Sequence, residues 1–172
     1  MRAWRSWRAA RAAVMTMNIH HIGIVVRDFD AMLDFYQRAF GFQVLGAELN
    51  IPKDKAEAIS GSDRPRPNHR VVMMGAGNAF LEIMGNPDAV VAQGSAPAAG
   101  YVQLCIDVED IDAEYARLRD LGMSFGAPAP VDFGHVKAVT GRDPEGNVIE
   151  LVQTVRDWDC NLSTLLHGAA AL

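Results

Sequence analysis

Glu82 interrupts the apolar run Ala79-Phe80-Leu81-Glu82-Ile83-Met84, and Glu150 stands between Ile149 and Leu151. A carboxylate withdrawn from water in such a run needs a partner or a metal ion, and one that keeps its charge can move a proton. Two further polar groups sit at matching places. His21 opens His21-Ile22-Gly23-Ile24-Val25-Val26, and Gln103, 82 positions later, opens Gln103-Leu104-Cys105-Ile106-Asp107-Val108. Side chains along a strand alternate faces, so His21 shares a face with Gly23 and Val25, and Gln103 shares one with Cys105 and Asp107. Ile22, Ile24 and Val26 are then packing residues, as are Leu104, Ile106 and Val108.

The elements that position these groups are repeated. Residues 21–30 and 103–112 superpose at the constant offset of 82, both β-rich and both ending in an Asp-apolar-Asp cap. Phe29, Leu33, Tyr36 and Phe40 in the first copy, and Ile111, Tyr115, Leu118 and Leu121 in the second, recur every three or four residues and predict a helix in each. Gly41 and Gly122 stop them. Strand-like stretches follow at 42–49, 69–74 and 78–84, then at 124–129, 135–140 and 147–155. The unit reads βαβββ, twice, with Glu82 and Glu150 in the last strand of each copy.

One helix shields only one face of a sheet. Two copies together predict an α+β fold, a curved half-open barrel with a concave metal or substrate pocket. The first unit spans 17–86, a linker rich in Ala, Gly and Pro spans 87–99, and the second unit spans 100–155. A further interruption over 50–68 holds Pro52, Gly61, Pro65 and Pro67. At roughly twice the usual connection length, it is either a loop that covers substrate or an uninvolved surface excursion.

Over roughly residues 17–155 the sequence resembles the vicinal oxygen chelate superfamily, the glyoxalase, bleomycin-resistance and extradiol-dioxygenase group. The resemblance rests on residues 21–30 running into Phe35-Tyr36 and Phe40-Gly41-Phe42, on the repeat, and most specifically on Arg142-Asp143-Pro144-Glu145-Gly146-Asn147-Val148-Ile149-Glu150-Leu151. It implies a divalent ion held by the first and last strands of each unit, at His21, Glu82, Gln103 and Glu150. One imidazole, one amide oxygen and two carboxylates suit one Zn, Ni, Mn, Co or Fe ion per chain, with two positions left for adjacent oxygens of a substrate. A carbonyl held there becomes more acidic at its α-carbon. The resemblance makes Glu150 the base, with Glu82 second.

Ring-cleaving dioxygenases use two histidines and a glutamate on iron, and Gln103 stands where the second histidine belongs, so that reading drops. Fosfomycin-type thiol transferases drop with it. Epimerases acting on methylmalonyl-CoA also expect a histidine at Gln103 and rank behind. A glyoxalase-like lyase or isomerase acting on a small α-hydroxycarbonyl-type molecule comes first, although no glutathione-binding signature is present. The competing class is a bleomycin-resistance-like protein that sequesters a small molecule. Around the pocket, His69 and His135 each open a strand near the rim, where they touch substrate or are plain surface histidines. Cys105 lines the pocket or fills space beside Gln103. His20 points away from His21's face. Arg64, Arg66 and Arg70 grip an anion or form a solvated basic loop.

Composition limits the rest. A chain of 172 residues, 49% hydrophobic and 22% charged, with net charge −5, has the makings of a compact core. Its acidity makes it a poor partner for nucleic acid, and no apolar run approaches the roughly 18 to 20 residues a membrane span needs. Cys105 and Cys160, with no secretory leader, point to a reducing compartment, the cytoplasm. The expected partners are a small-molecule substrate and a second copy in a homodimer. Residues 1–16 carry Arg2, Arg5, Arg8 and Arg11 and no acid, whereas the remainder has twelve Lys and Arg against 21 Asp and Glu. They read as an artefact of an upstream start, with the true start at Met15 or Met17, the alternative being a basic amphipathic segment. The tail over 156–172 has cap-like residues before Leu162, Leu165 and Leu166 and predicts a short docking helix.

Overall fold

The computed structural model describes residues 19–60, 69–90, 100 and 103–156. The first repeat runs β1 (Ile22–Val26), α1 (Phe29–Phe40), β2 (Gln43–Ile51), α2 (Lys53–Ser60), β3 (His69–Ala76) and β4 (Ala79–Gly85). The second runs β5 (Leu104–Asp107), α3 (Ile111–Asp120), β6 (Ser124–Phe125), β7 (Val131–Asp132), β8 (Val136–Arg142) and β9 (Val148–Thr154). The caps act as the Asp-apolar-Asp pattern predicts. Asp28 accepts from the Ala31 amide at 3.0 Å and Asp110 from the Ala113 amide at 3.1 Å, each filling an orphan donor of the first turn. Gly41, at φ +71°, ends α1 in the left-handed conformation that glycine reaches without strain.

Strand order is β1-β4-β3-β2 in one sheet and β5-β9-β8-β6 in the other, with β7 on β8. In each repeat the first strand therefore lies parallel to the last, in registers that set Gly23 beside Glu82 and Cys105 beside Glu150. The result is the expected α+β architecture of two βαβββ units, with curved sheets that stay open instead of closing into a barrel.

One core serves both repeats. Met32, Tyr36, Leu81 and Ile83 of the first and Ile111, Leu118, Ile149 and Leu151 of the second belong to a single buried cluster, and each large aliphatic side chain there contributes about 1.5–3 kcal/mol. Leu81 and Ile83 flank Glu82, and Ile149 and Leu151 flank Glu150, so core packing on one face of each strand turns the acid to the other. Polar bonds add to the clamp. Tyr36 Oη donates to Asp143 Oδ2 at 2.9 Å, the Glu145 carboxylate accepts from the Arg27 and Asp28 amides, and Arg117 donates to the Arg38 and Ala39 carbonyls at the end of α1.

Some expectations change. The 50–68 interruption is partly regular, since β2 extends to Ile51 and α2 follows. The strand expected over 124–129 stops at Phe125, because Pro128 and Pro130 offer no amide to a ladder. Ile22, expected to pack, is 44% exposed at the open end of β1, while Val26 at the other end is fully buried. Residues 1–16, most of the linker, and the tail beyond Arg156 with its expected helix lie outside the described residues. No helix among the described residues is long and apolar enough to cross a membrane.

Candidate functional site

Each acid has its own partner. His21 Nε2 lies 3.3 Å from Glu82 Oε2. The strand beneath leaves room for this because the residue beside Glu82 is Gly23, where an added Cβ would fall 2.9 Å from Met84 Cε and 3.7 Å from Glu82 Oε2. His20, expected to point away, instead brings its Nδ1 to 2.7 Å from His21 Nδ1, with the two rings edge-on. A neutral His21 that accepts at Nδ1 carries its proton on Nε2, toward Glu82. His20 thus orients the imidazole through its far nitrogen. Strand parity missed this contact because both histidines precede the regular part of β1.

In the second repeat Gln103 Nε2 donates to Glu150 Oε2 at 2.5 Å. Cys105 lies in register with Glu150 on the neighbouring strand. Partial burial first, then the Glu150 carboxylate beside it, push the thiol up to about 12, so at neutral pH it stays protonated. Glu150 opens on a cavity of about 690 Å³ whose wall includes Ser124, Phe133, Thr140 and Arg142. Ser124, Thr140 and Arg142 are polar wall residues not among the candidates named from the sequence. The strand expected over 135–140 stops short of Arg142, which the observed β8 includes.

The four predicted ligands thus form two pairs, His21 with Glu82 on one sheet and Gln103 with Glu150 on the other. Among the described residues no three His, Cys, Asp or Glu side chains group closely enough to hold an ion. The donor types still suit one: each pair offers a carboxylate and a neutral donor on the face that packing leaves open. His69 begins β3, and its side chain is outside the described set. His135 precedes β8, half-buried, its carbonyl accepting from the Val155 and Arg156 amides, and it is not among the residues lining the cavity. Cys160, Arg64 and Arg66 lie outside the described residues. Arg70 is held by Asp30 and Glu48 and stacks 4.1 Å over the Phe29 ring. The guanidinium lowers the pKa values of both acids, and they raise its own.

A family model for the Glyoxalase/Bleomycin resistance protein/Dioxygenase superfamily matches residues 18–151. An ethylmalonyl-CoA/methylmalonyl-CoA epimerase from Cereibacter sphaeroides is 29% identical over 150 residues, covering 81% of this chain and 99% of its own. A lactoylglutathione lyase from Schizosaccharomyces pombe is 24% identical over 152 residues, 84% of this chain, and the chain spans 50% of that enzyme's length. The crystal structure of a glyoxalase family protein from Enterococcus faecalis aligns with a TM-score of 0.63 at 25% identity, over 81% of this chain and 99% of that one. An epimerase, ranked behind a lyase on the strength of Gln103, therefore stands beside a lyase among the relatives.

Proposed function

The chain belongs to the glyoxalase/bleomycin resistance protein/dioxygenase superfamily, and from that premise we propose that it is a divalent-metal-dependent lyase or isomerase acting on a small α-hydroxycarbonyl-type substrate. The observation that carries this reading is the matched pairing of Glu82 with His21 and Glu150 with Gln103, each on the open face of its sheet. Members of the superfamily commonly bind a divalent metal. His21, Glu82, Gln103 and Glu150 would hold one Zn, Ni, Mn, Co or Fe ion per chain.

Such an ion, when bound, polarises a carbonyl oxygen and makes the neighbouring C–H more acidic. Glu150 receives the proton and returns it, because it is the acid that faces the cavity. Gln103 holds its carboxylate by a hydrogen bond from Nε2. Glu82 is the second candidate base. A single chain keeps the two pairs apart, and a homodimer in which a second copy supplies the complementary pair completes the set. Proton transfer of this kind serves a lyase or an epimerase, the two activities named among the relatives.

Elemental analysis after purification without chelators, with Zn, Ni, Mn, Co and Fe offered, is expected to find one ion per chain, and turnover on α-hydroxycarbonyl candidates should follow the ion. A wild-type protein that retains none of the five ends the enzyme reading in favour of a small-molecule binding protein.

A further inference from the structure

The cavity beside Glu150 contains a cation with no acidic partner among the described residues. Arg142 ends β8 two positions beyond Thr140, which is in register with Glu150, so Arg142 shares that face of the sheet and lines the same cavity. Arg27, Arg38, Arg70, Arg117 and Lys137 each face a carboxylate within 4.0 Å. Arg142 instead donates Nη1 to the Gly146 carbonyl at 2.7 Å. That bond anchors the guanidinium to the turn before β9 and leaves other N–H donors of its fork available. Ser124 is the register partner of Arg142 and also lines the cavity, placing a hydroxyl next to the guanidinium. The wall is otherwise largely apolar. Val131 and Phe133, 48% and 60% exposed, line it too, and exposed apolar surface beside a cavity marks a place that a ligand covers.

We infer that the substrate carries an anionic group, a carboxylate or a phosphonate or phosphate, on an apolar stem, and that Arg142 with Ser124 binds this group while the stem lies on Val131 and Phe133. The inference rests on the reading that substrate enters the Glu150 cavity. A planar fork fixed at one end suits two-point recognition of such an anion.

Calorimetric binding of 3-phenylpropionate, its amide and 2-phenylethylphosphonate to the full chain, prepared without added metal, tests this independently of turnover. Wild type is expected to bind an anion ~10-fold or more tightly than the amide, as a charge-assisted bond predicts. The stronger of the two anions identifies the class. Arg142→Gln should lose the preference, Arg142→Lys should retain part of it, and Ser124→Ala should weaken anion binding by ~3-fold, a neutral hydrogen bond's share. Equal affinity for acid and amide in wild type, no binding of any of the three at millimolar concentration, or a preference that survives Arg142→Gln would overturn the inference. A protein that keeps no metal yet shows the Arg142-dependent preference loses the lyase reading and keeps this one. A metal-loaded, active protein without the preference does the reverse.

Discussion

In the first repeat Glu82 meets a histidine across 3.3 Å and lies over Gly23, whereas in the second Glu150 meets an amide, has Cys105 in register beside it and opens on a cavity of about 690 Å³. An imidazole changes charge near neutral pH, and when protonated it neutralises the acid beside it. An amide does not. Glu82 is thus partnered by a group that can carry a positive charge, and Glu150 by one that is always neutral. On the proposed function, equivalent positions in a repeated fold take different work through their neighbours, the first as an anchor and the second as a base.

The strongest way to break this comparison is to neutralise each acid in turn. Glu150→Gln is expected to lower turnover by ~10²–10⁴-fold, the range for loss of a general base, and excess metal should not restore it. Glu82→Gln should lose metal first and recover activity as the ion is raised. Steady-state rates and bound-metal content, measured together on the two variants, decide this, and equal behaviour of the two would erase the distinction.

Tyr36 tests how the repeats hold each other. Its hydroxyl reaches from α1 to Asp143, in the turn that leads into β9 and Glu150. Tyr36→Phe should cost ~1.5–3 kcal/mol, the worth of a hydrogen bond to a charged group. Burial, then the Asp143 charge and hydrogen bond, raise the Tyr36 pKa above its ordinary 10.0. Its contribution is accordingly complete below pH 10.0 and declines as pH rises beyond it. Denaturant titrations from neutral pH to beyond pH 10 should show that alkaline loss in wild type and a flatter profile in Tyr36→Phe. Parallel profiles would rule out Tyr36 as its source.

Gln103→Ala should be the mildest of these changes, because water can replace a neutral amide oxygen. A fall in turnover of only ~10-fold or less, about the 1.4 kcal/mol of one hydrogen bond, is expected. A loss as large as that of Glu150→Gln would show that the amide does more than orient its neighbour. Comparison of the two variants under the same metal concentration provides the check.

Much of this molecule was legible in its residues. The 82-position offset, the two Asp caps and the helical spacing after them are local features, and the helices they predict are present, with Gly41 ending the first where expected. The alternation around Glu82 and Glu150 correctly named the buried neighbours Leu81, Ile83, Ile149 and Leu151. The 50–68 segment was less legible: Pro52 directly precedes α2, and the eight residues that follow it, Lys53–Ser60, form a helix. The bond of Gln103 to Glu150, the edge-on contact of His20 with His21 and the position of Arg142 in the cavity wall depend on side chains brought together by the fold, and no pattern in one strand announces them.

The sequence by itself determined that the chain is a repeated βαβββ unit and which face Glu82 and Glu150 take, because alternation and helical spacing are properties of neighbouring residues. Only the tertiary structure decided their partners. Pairing β1 with β4 and β5 with β9 joins distant segments in registers chosen by core packing, and that packing places His21 on Glu82, Gln103 on Glu150, and the two pairs on separate sheets.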